Sequence, residues 1–420
     1  MFCEGSNNIW IGKVRSLTLK DYAVGILLKL RIHGENVMEE LSLEACHSET
    51  LIEILKEENN SIWVGKVRKL KLIDYAVNIL PKLRIHEENE MEELCLWTYY
   101  PGNITEILKK ENNSIWIGKV KKLELGNHAV NILPKLRIHE ENEMEELYLC
   151  LIGYGYYHTT EILKEEINSI WIGKVRKLKL KDYAVNILPK LRIHEENEME
   201  ELVLEAYYPR NIIEIIKKEN NSIWIGKVRK INLRNYAVEV LPKLRIHEEN
   251  LTEELSLSAD GTEHLAKILE ENSSIWIGRV KKLELRDYAV NILPKLRIHE
   301  ENEMEELYLC LIGYCYYHII EILKEENNSI WIGKVRKLTL KNYAVGILSR
   351  LKLHEENEME ELSLEECHSA TLVEIFKIMD KSIWIGKVRK INLTGYAEKI
   401  KDKLDFTLLA PDDQEEIGSD

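Results

Sequence analysis

Short stretches in which apolar and polar residues alternate give way along this chain to stretches of nearer helical spacing, and the exchange repeats. Between Val175 and Lys227, "KLKL" sets Leu178 and Leu180 on one face, and "ELVL" does the same with Leu202 and Leu204. Alternation with a period of two predicts a strand. Each strand is followed by a turn and then by an apolar pattern closer to helical periodicity. A unit of 53 residues thus holds two strand-turn-helix modules, of about 24 and 29 residues. Short right-handed crossovers repeated in this way predict a parallel sheet on one side and short helices on the other.

The octapeptide "NSIWIGKV", Asn168 to Val175, marks the period. Its tryptophan recurs as Trp10, Trp63, Trp116, Trp171, Trp224, Trp276, Trp331 and Trp384, each followed two residues later by a glycine, from Gly12 to Gly386. A fixed period of this kind indicates stacked supersecondary units. It favours one elongated domain over the two or three that 420 residues would otherwise suggest. The octapeptide is expected to link the longer module's helix to the next strand, with Trp and its flanking Ile packed at the turn and Gly permitting a tight re-entry. Pro81, Pro134, Pro189, Pro242 and Pro294 are expected to open helical turns in "PKLRIHEEN". Near-identity of the stretches from Glu140 and from Glu300 points to growth by duplication of a three-unit block.

Leu178, Leu180, Tyr183, Val185, Leu188 and Pro189 fall at the spacing Leu-x-Leu-x-x-(Asn)-x-Leu-x-x-Leu-Pro, which resembles the leucine-rich repeat. Where that family has Asn, the shorter module carries Tyr (Tyr22, Tyr75, Tyr183, Tyr236, Tyr288, Tyr343, Tyr396) or His128. The longer module carries Cys46 and Cys367, or Tyr99 in "LWTYYPGN". The resemblance spans residues 9 to 395. It implies an α/β leucine-rich-repeat solenoid, a horseshoe with a concave parallel sheet of about 15 strands and short convex helices. Residues 1–395 are expected to form the solenoid, eight copies of a two-repeat unit with the last one partial. Residues 396–420 are read as a closing helix, "YAEKIKDKL", and an acidic tail. With only about eight residues before Trp10, the first strand is expected to present an uncapped edge, which invites self-association.

With 45% hydrophobic and 31% charged residues the chain can bury a core, which excludes a largely disordered protein. Acidic residues outnumber basic ones by 72 to 58, a net charge of −14. Non-specific attraction to nucleic acid or to anionic membrane is therefore disfavoured, and a basic protein partner would be steered inward. The start "MFCEGSNNIW" lacks the apolar core of a signal peptide, and no window reaches the length of a membrane span. Seven cysteines at no metal or disulfide spacing fit a reducing compartment, so a cytoplasmic location is expected. Asn-x-Ser/Thr sequons such as Asn59 to Ser61 would matter only on a secretory route.

The recurrent "RIHEEN" gives His33, His86, His139, His194, His247, His299 and His354, each beside two carboxylates except His33, where Gly34 intervenes. Equivalent residues of successive units should lie about 10 Å apart, too far to share a metal. With no phosphate loop and no nucleophile elbow either, neither an enzyme nor a cofactor is expected. More informative are the residues before each Leu-x-Leu, which alternate in sign from Glu40, Lys69, Glu93 and Lys122 onward to Glu361 and Lys390. On a face so neutralised, Trp97, Tyr148 and Tyr308, with Lys71 and Lys179, are the candidate concave contacts. Two longer turns, "GYGYYH" and "GYCYYH", offer Tyr154, Tyr156, Tyr157, Tyr314, Tyr316 and Tyr317 as rim contacts. The expected function is a non-enzymatic scaffold for a protein partner. The alternatives are a leucine-rich regulator of an enzyme, such as a GTPase activator or nuclease inhibitor, and a self-assembling structural protein.

Overall fold

The computed structural model describes residues 9–152, 161–247, 249–271, 273–312 and 320–409. Contacts divide the chain into two compact units, residues 1–227 and 228–420. Each is an α/β repeat solenoid in which parallel strands follow one another in chain order, joined by short 3-10 and α-helical turns. Among the described residues, eight sheet strands belong to the first unit, from Ser16–Lys20 to Glu198–Ala206. Seven more run from Ile223–Asn235, within which the division falls, to Ile383–Gly395 in the second, the expected number and α/β solenoid architecture. The leucines form the floor: Leu70 pairs with Leu94 and Leu72 with Leu96 across adjacent strands, and Met91, Leu94 and Leu96 are fully buried. Burying each such side chain stabilises by about 1.5–3 kcal/mol.

The octapeptide does more than link two elements. It is the first part of a strand of 13 residues, Ile62–Asp74 in the second copy. Its leading residues pair in parallel with Leu83–Ile85, and its remainder enters the main sheet beside Glu90–Thr98. Gly65 forms the bend between the two pairings. Its φ is +77°, and a Cβ there would lie 2.7 Å from the Asn36 carbonyl oxygen, so a side chain is excluded both by conformation and by space. The period-two alternation of this strand corrects the expected placement of Trp. Ile62 and Val64 point into the core, while Trp63 is half-exposed on the other side. It rests against Arg84, whose Cζ is 5.4 Å from the ring centre, and against His86 at 6.1 Å. Trp116 and Trp171 repeat the arrangement with Arg137 and His139 and with Arg192 and His194.

The prolines also differ from expectation. Pro81 sits near the end of the 3-10 helix Tyr75–Lys82. The residues after it are extended because Leu83 is buried and Arg84 exposed, the pattern of a strand. The segment read as a closing helix, Tyr396–Lys403, is a 3-10 helix like those of the other shorter modules, and Leu404–Leu408 then pairs with the strand from Ile383.

Buried amides hold successive coils together, and they stand at positions other than the one where the leucine-rich pattern would put them. The Asn that ends each "HEEN" turn, "HGEN" in the first copy, is buried: Asn36, Asn89, Asn142, Asn197, Asn250, Asn302 and Asn357. The Oδ1 of Asn89 accepts the N–H of Val67 at 2.8 Å and its Nδ2 donates to the same residue's carbonyl at 3.0 Å. Asn142, Asn197, Asn250 and Asn302 do likewise with Val120, Val175, Val228 and Val280. A second ladder is built by Asp74, Asn127, Asp182, Asn235 and Asp287, all at positive φ, which is tolerated best by Asn and Asp among residues with a Cβ. Each accepts the N–H of a residue one coil later, Tyr99, Ile152, Tyr207, Asp260 and Ile312 respectively. These bonds satisfy backbone groups at the corners, where the sheet ladder ends.

Candidate binding surface

Successive residues of a strand face opposite ways, so the leucines that build the floor leave the intervening residues on the open face of the sheet. The register brings the expected charges side by side: Glu40 opposite Lys69, Lys69 opposite Glu93, Glu93 opposite Lys122, and Glu146 between Lys122 and Lys177. Several of these contacts close to ion pairs, including Lys177–Glu201 at 3.9 Å in the first unit and Lys390–Glu361 at 3.1 Å in the second. Solvent-exposed pairs of this kind contribute about 0–1 kcal/mol each. Their main consequence is a face with little net field, on which apolar groups are conspicuous.

In the first unit the conspicuous group is Trp97. It stands opposite Gly126 on the next strand, and a Cβ at Gly126 would lie 2.1 Å from the indole ring. The missing side chain is thus what lets the indole lie over its neighbour. The indole N–H donates to Glu124 Oε1 at 2.8 Å, which fixes the orientation of the ring. Tyr148 follows on the strand beyond Gly126, directly opposite Glu124, and is half-buried. Buried Cys95 and Cys150 complete the apolar ground beneath them. Lys179 faces Tyr148 across the next pairing and reaches Glu146 at 3.2 Å, while exposed Lys71 stands opposite Cys95 on the other flank. Trp97, Tyr148, Lys71 and Lys179 therefore share one face within five neighbouring strands.

The titrations of this patch are those of a desolvated surface. Burial, reinforced by Glu124, pushes the Cys95 thiol up to about 12. Burial likewise raises Tyr148, with the hydrogen bond to Cys150 acting in the same sense, and burial raises Cys150 itself. Thiols so perturbed stay protonated at neutral pH, the opposite of what a nucleophilic cysteine requires.

Tyr308 belongs to the second unit, where it lies between Glu284 and Thr339 in register and the Arg286 guanidinium sits 5.0 Å from its ring centre. The candidates Tyr154, Tyr156, Tyr157, Tyr314, Tyr316 and Tyr317 lie outside the described residues.

Other tyrosines stand out at the corners of the first unit. Tyr99 and Tyr100, and two repeat pairs later Tyr207 and Tyr208, are between 45% and 70% exposed. Lys181 Nζ lies 5.5 Å from the Tyr207 ring centre, and Arg210 Cζ lies 5.1 Å from that of Tyr208. Their sequence signal, a Tyr-Tyr-Pro that follows directly on the strand, is present in "TYYP" and "AYYP". The histidines of "RIHEEN" take part in turns: His86 Nδ1 accepts the N–H of Glu88 at 3.1 Å, and His139 does the same for Glu141. Among the described residues no group of three or more His, Cys, Asp or Glu could hold a metal ion, and no helix is long and apolar enough to cross a membrane. No known family model, curated protein or solved structure matches the chain.

Proposed function

We propose that the protein is a non-enzymatic scaffold of leucine-rich-repeat type that binds a protein partner on the open face of its sheet. The observation that carries this reading is Trp97, held over Gly126 by its bond to Glu124 and continued by Tyr148. A rigid aromatic platform on an otherwise charge-paired surface has the composition of a binding hot spot, because it offers large apolar area with little side-chain entropy to lose. Lys71 and Lys179 flank the platform and supply orientation, and the exposed tyrosines at the corners extend it. A cytoplasmic site of action and a partner of basic net charge are consistent with the cysteine usage and the charge of −14.

The test uses a partner purified from cells that make the protein and titrated calorimetrically against the full chain. Trp97→Ala and Tyr148→Ala should each weaken binding by about tenfold or more, since a hot-spot truncation costs about 2 kcal/mol. Lys56→Ala on the helical side should leave it unchanged. Equal affinity for the wild type and for both aromatic variants would refute the assignment.

A further inference from the structure

The repeats contain their own reference for what each position on the sheet needs. In the row of residues that follow the second leucine, a lysine is answered by a glutamate on the next strand: Lys20 by Glu44 at 2.8 Å, Lys181 by Glu205 at 3.5 Å and Lys341 by Glu365 at 2.8 Å. In the second unit the same row reads Arg234, Ser258 and Arg286 on three consecutive strands, with Ser258 in register with both arginines. A serine thus stands where the rhythm supplies a carboxylate, and a second arginine lies on its far side.

The charges there are not balanced locally. Arg234 is exposed, donates its Nε–H to Asn232 Oδ1 at 3.3 Å, and forms no ion pair among the described residues. Arg286 pairs with Glu284 and lies against Tyr308, and Glu284 also accepts the hydroxyl of Ser256 at 3.3 Å. Arg286 thus has Glu284 as its ion-pair partner, with Asp287 acting on it electrostatically, whereas the Arg234 guanidinium has no carboxylate partner among the described residues. Between them Ser256 and Ser258 are short and half-buried, so the sheet is low at this point. Arginine presents a planar fork of donors suited to a two-oxygen anion, and a hydroxyl adds one more donor.

We propose that Arg234, Ser258 and Arg286 form an anion site that takes a side-chain carboxylate from an acidic segment of the protein partner, in the place filled by Glu44, Glu205 and Glu365 elsewhere. The inference rests on the open face being the binding surface and adds the chemistry of one contact. The site is local. The net charge of −14 opposes approach of an acidic segment at long range, so binding is carried by contacts at the bay.

A fluorescein-labelled oligoglutamate peptide is titrated into the full chain and followed by fluorescence anisotropy, with a phosphoserine-containing peptide of equal charge as a second arm. Saturable binding of the oligoglutamate is expected, at least about tenfold weaker in Arg234→Ala. Ser258→Glu restores the lysine–glutamate rhythm of the other repeats, so it should keep the circular dichroism of the wild type while losing the peptide by a similar factor. Lys56→Ala, on the exposed helical side of the first unit, should bind as the wild type does. Absence of saturable binding, or affinity unchanged in Ser258→Glu, would overturn the site. Binding of the phosphoserine peptide alone would overturn the carboxylate assignment. Failure here together with loss of partner affinity in Trp97→Ala would remove this contact and leave the proposed function standing; unchanged partner affinity in Trp97→Ala would remove the proposed function itself.

Discussion

Asn142→Ala should be among the most damaging single changes in the first unit. Asn142 is 3% exposed. Its Oδ1 accepts the Val120 N–H at 2.8 Å, and its Nδ2 donates to the Val120 carbonyl at 3.1 Å, both bonds buried. Alanine removes both partners at once and leaves a donor and an acceptor of the neighbouring coil without a bond. A buried polar group left unsatisfied costs about 1–3 kcal/mol, so the pair should cost about 2–6 kcal/mol, reduced to the extent that water enters. The control is Asn112→Ala. That side chain bonds Glu165 and Lys135 on the exposed surface, and its loss should stay within about 0.5 kcal/mol. Urea unfolding followed by circular dichroism gives the two differences. Hydrogen exchange at the Val120 amide locates the damage, which matters in a repeat protein whose coils need not unfold together. A loss below about 1 kcal/mol for Asn142→Ala, or no faster exchange at Val120, would show that the buried amides are not what ties the coils together.

Three further outcomes follow from the geometry. Gly65→Ala should destabilise the first unit by about 1–2 kcal/mol from the left-handed conformation alone, and by more from the contact with Asn36, as read by urea unfolding. Gly34→Ala, with nothing within 4 Å of the new methyl, should be close to neutral. Asp182→Asn should stabilise at neutral pH. Burial raises the Asp182 carboxyl, so the folded state holds its proton more tightly than the unfolded state does. The cost of the ionised form is therefore present above the folded pKa and disappears as the pH falls through it, and the advantage of Asn should fade in step; a constant difference across the acid range would contradict this. With a thiol reagent at pH 8, mass mapping should find Cys367, which is exposed, labelled long before the buried Cys95, Cys150 and Cys310. Equal rates would mean that the face is more open than the structure indicates.

The solenoid was legible because its signal is redundant: eight Trp-x-Gly copies and a Leu-x-Leu or Ile-x-Leu in every module leave one consistent reading. The charge alternation was legible for the same reason, since a parallel register without shifts converts sequence order directly into neighbours. What escaped was the use made of corner residues. Aligning each module to the leucine-rich pattern put Tyr183 at the amide position, whereas the residue that bonds the next coil is Asp182, one place earlier. The Asn of "HEEN" was masked by its exposed neighbours, because burial of one polar residue in a polar turn has no periodic signature. Trp63 is expected to pack with its flanking Ile at the turn, yet the alternation of Ile62 and Val64 puts its ring on the other side. At the candidate surface, Trp97 stands out in the sequence as an aromatic on a charged face. The pairing of Trp97 with Gly126 needed the register, since the two are 29 residues apart, and the Arg234–Ser258–Arg286 bay required comparing three strands with their counterparts in other repeats.

Hydrogen exchange of the full chain with and without its purified partner tests the central claim most directly. Protection on binding should fall on the amides of residues 93–98, 122–126 and 146–150, around Trp97, Gly126 and Tyr148, with the helical turns unchanged. Protection confined to the helical turns, with none on those three strands, would contradict the assignment of the open face.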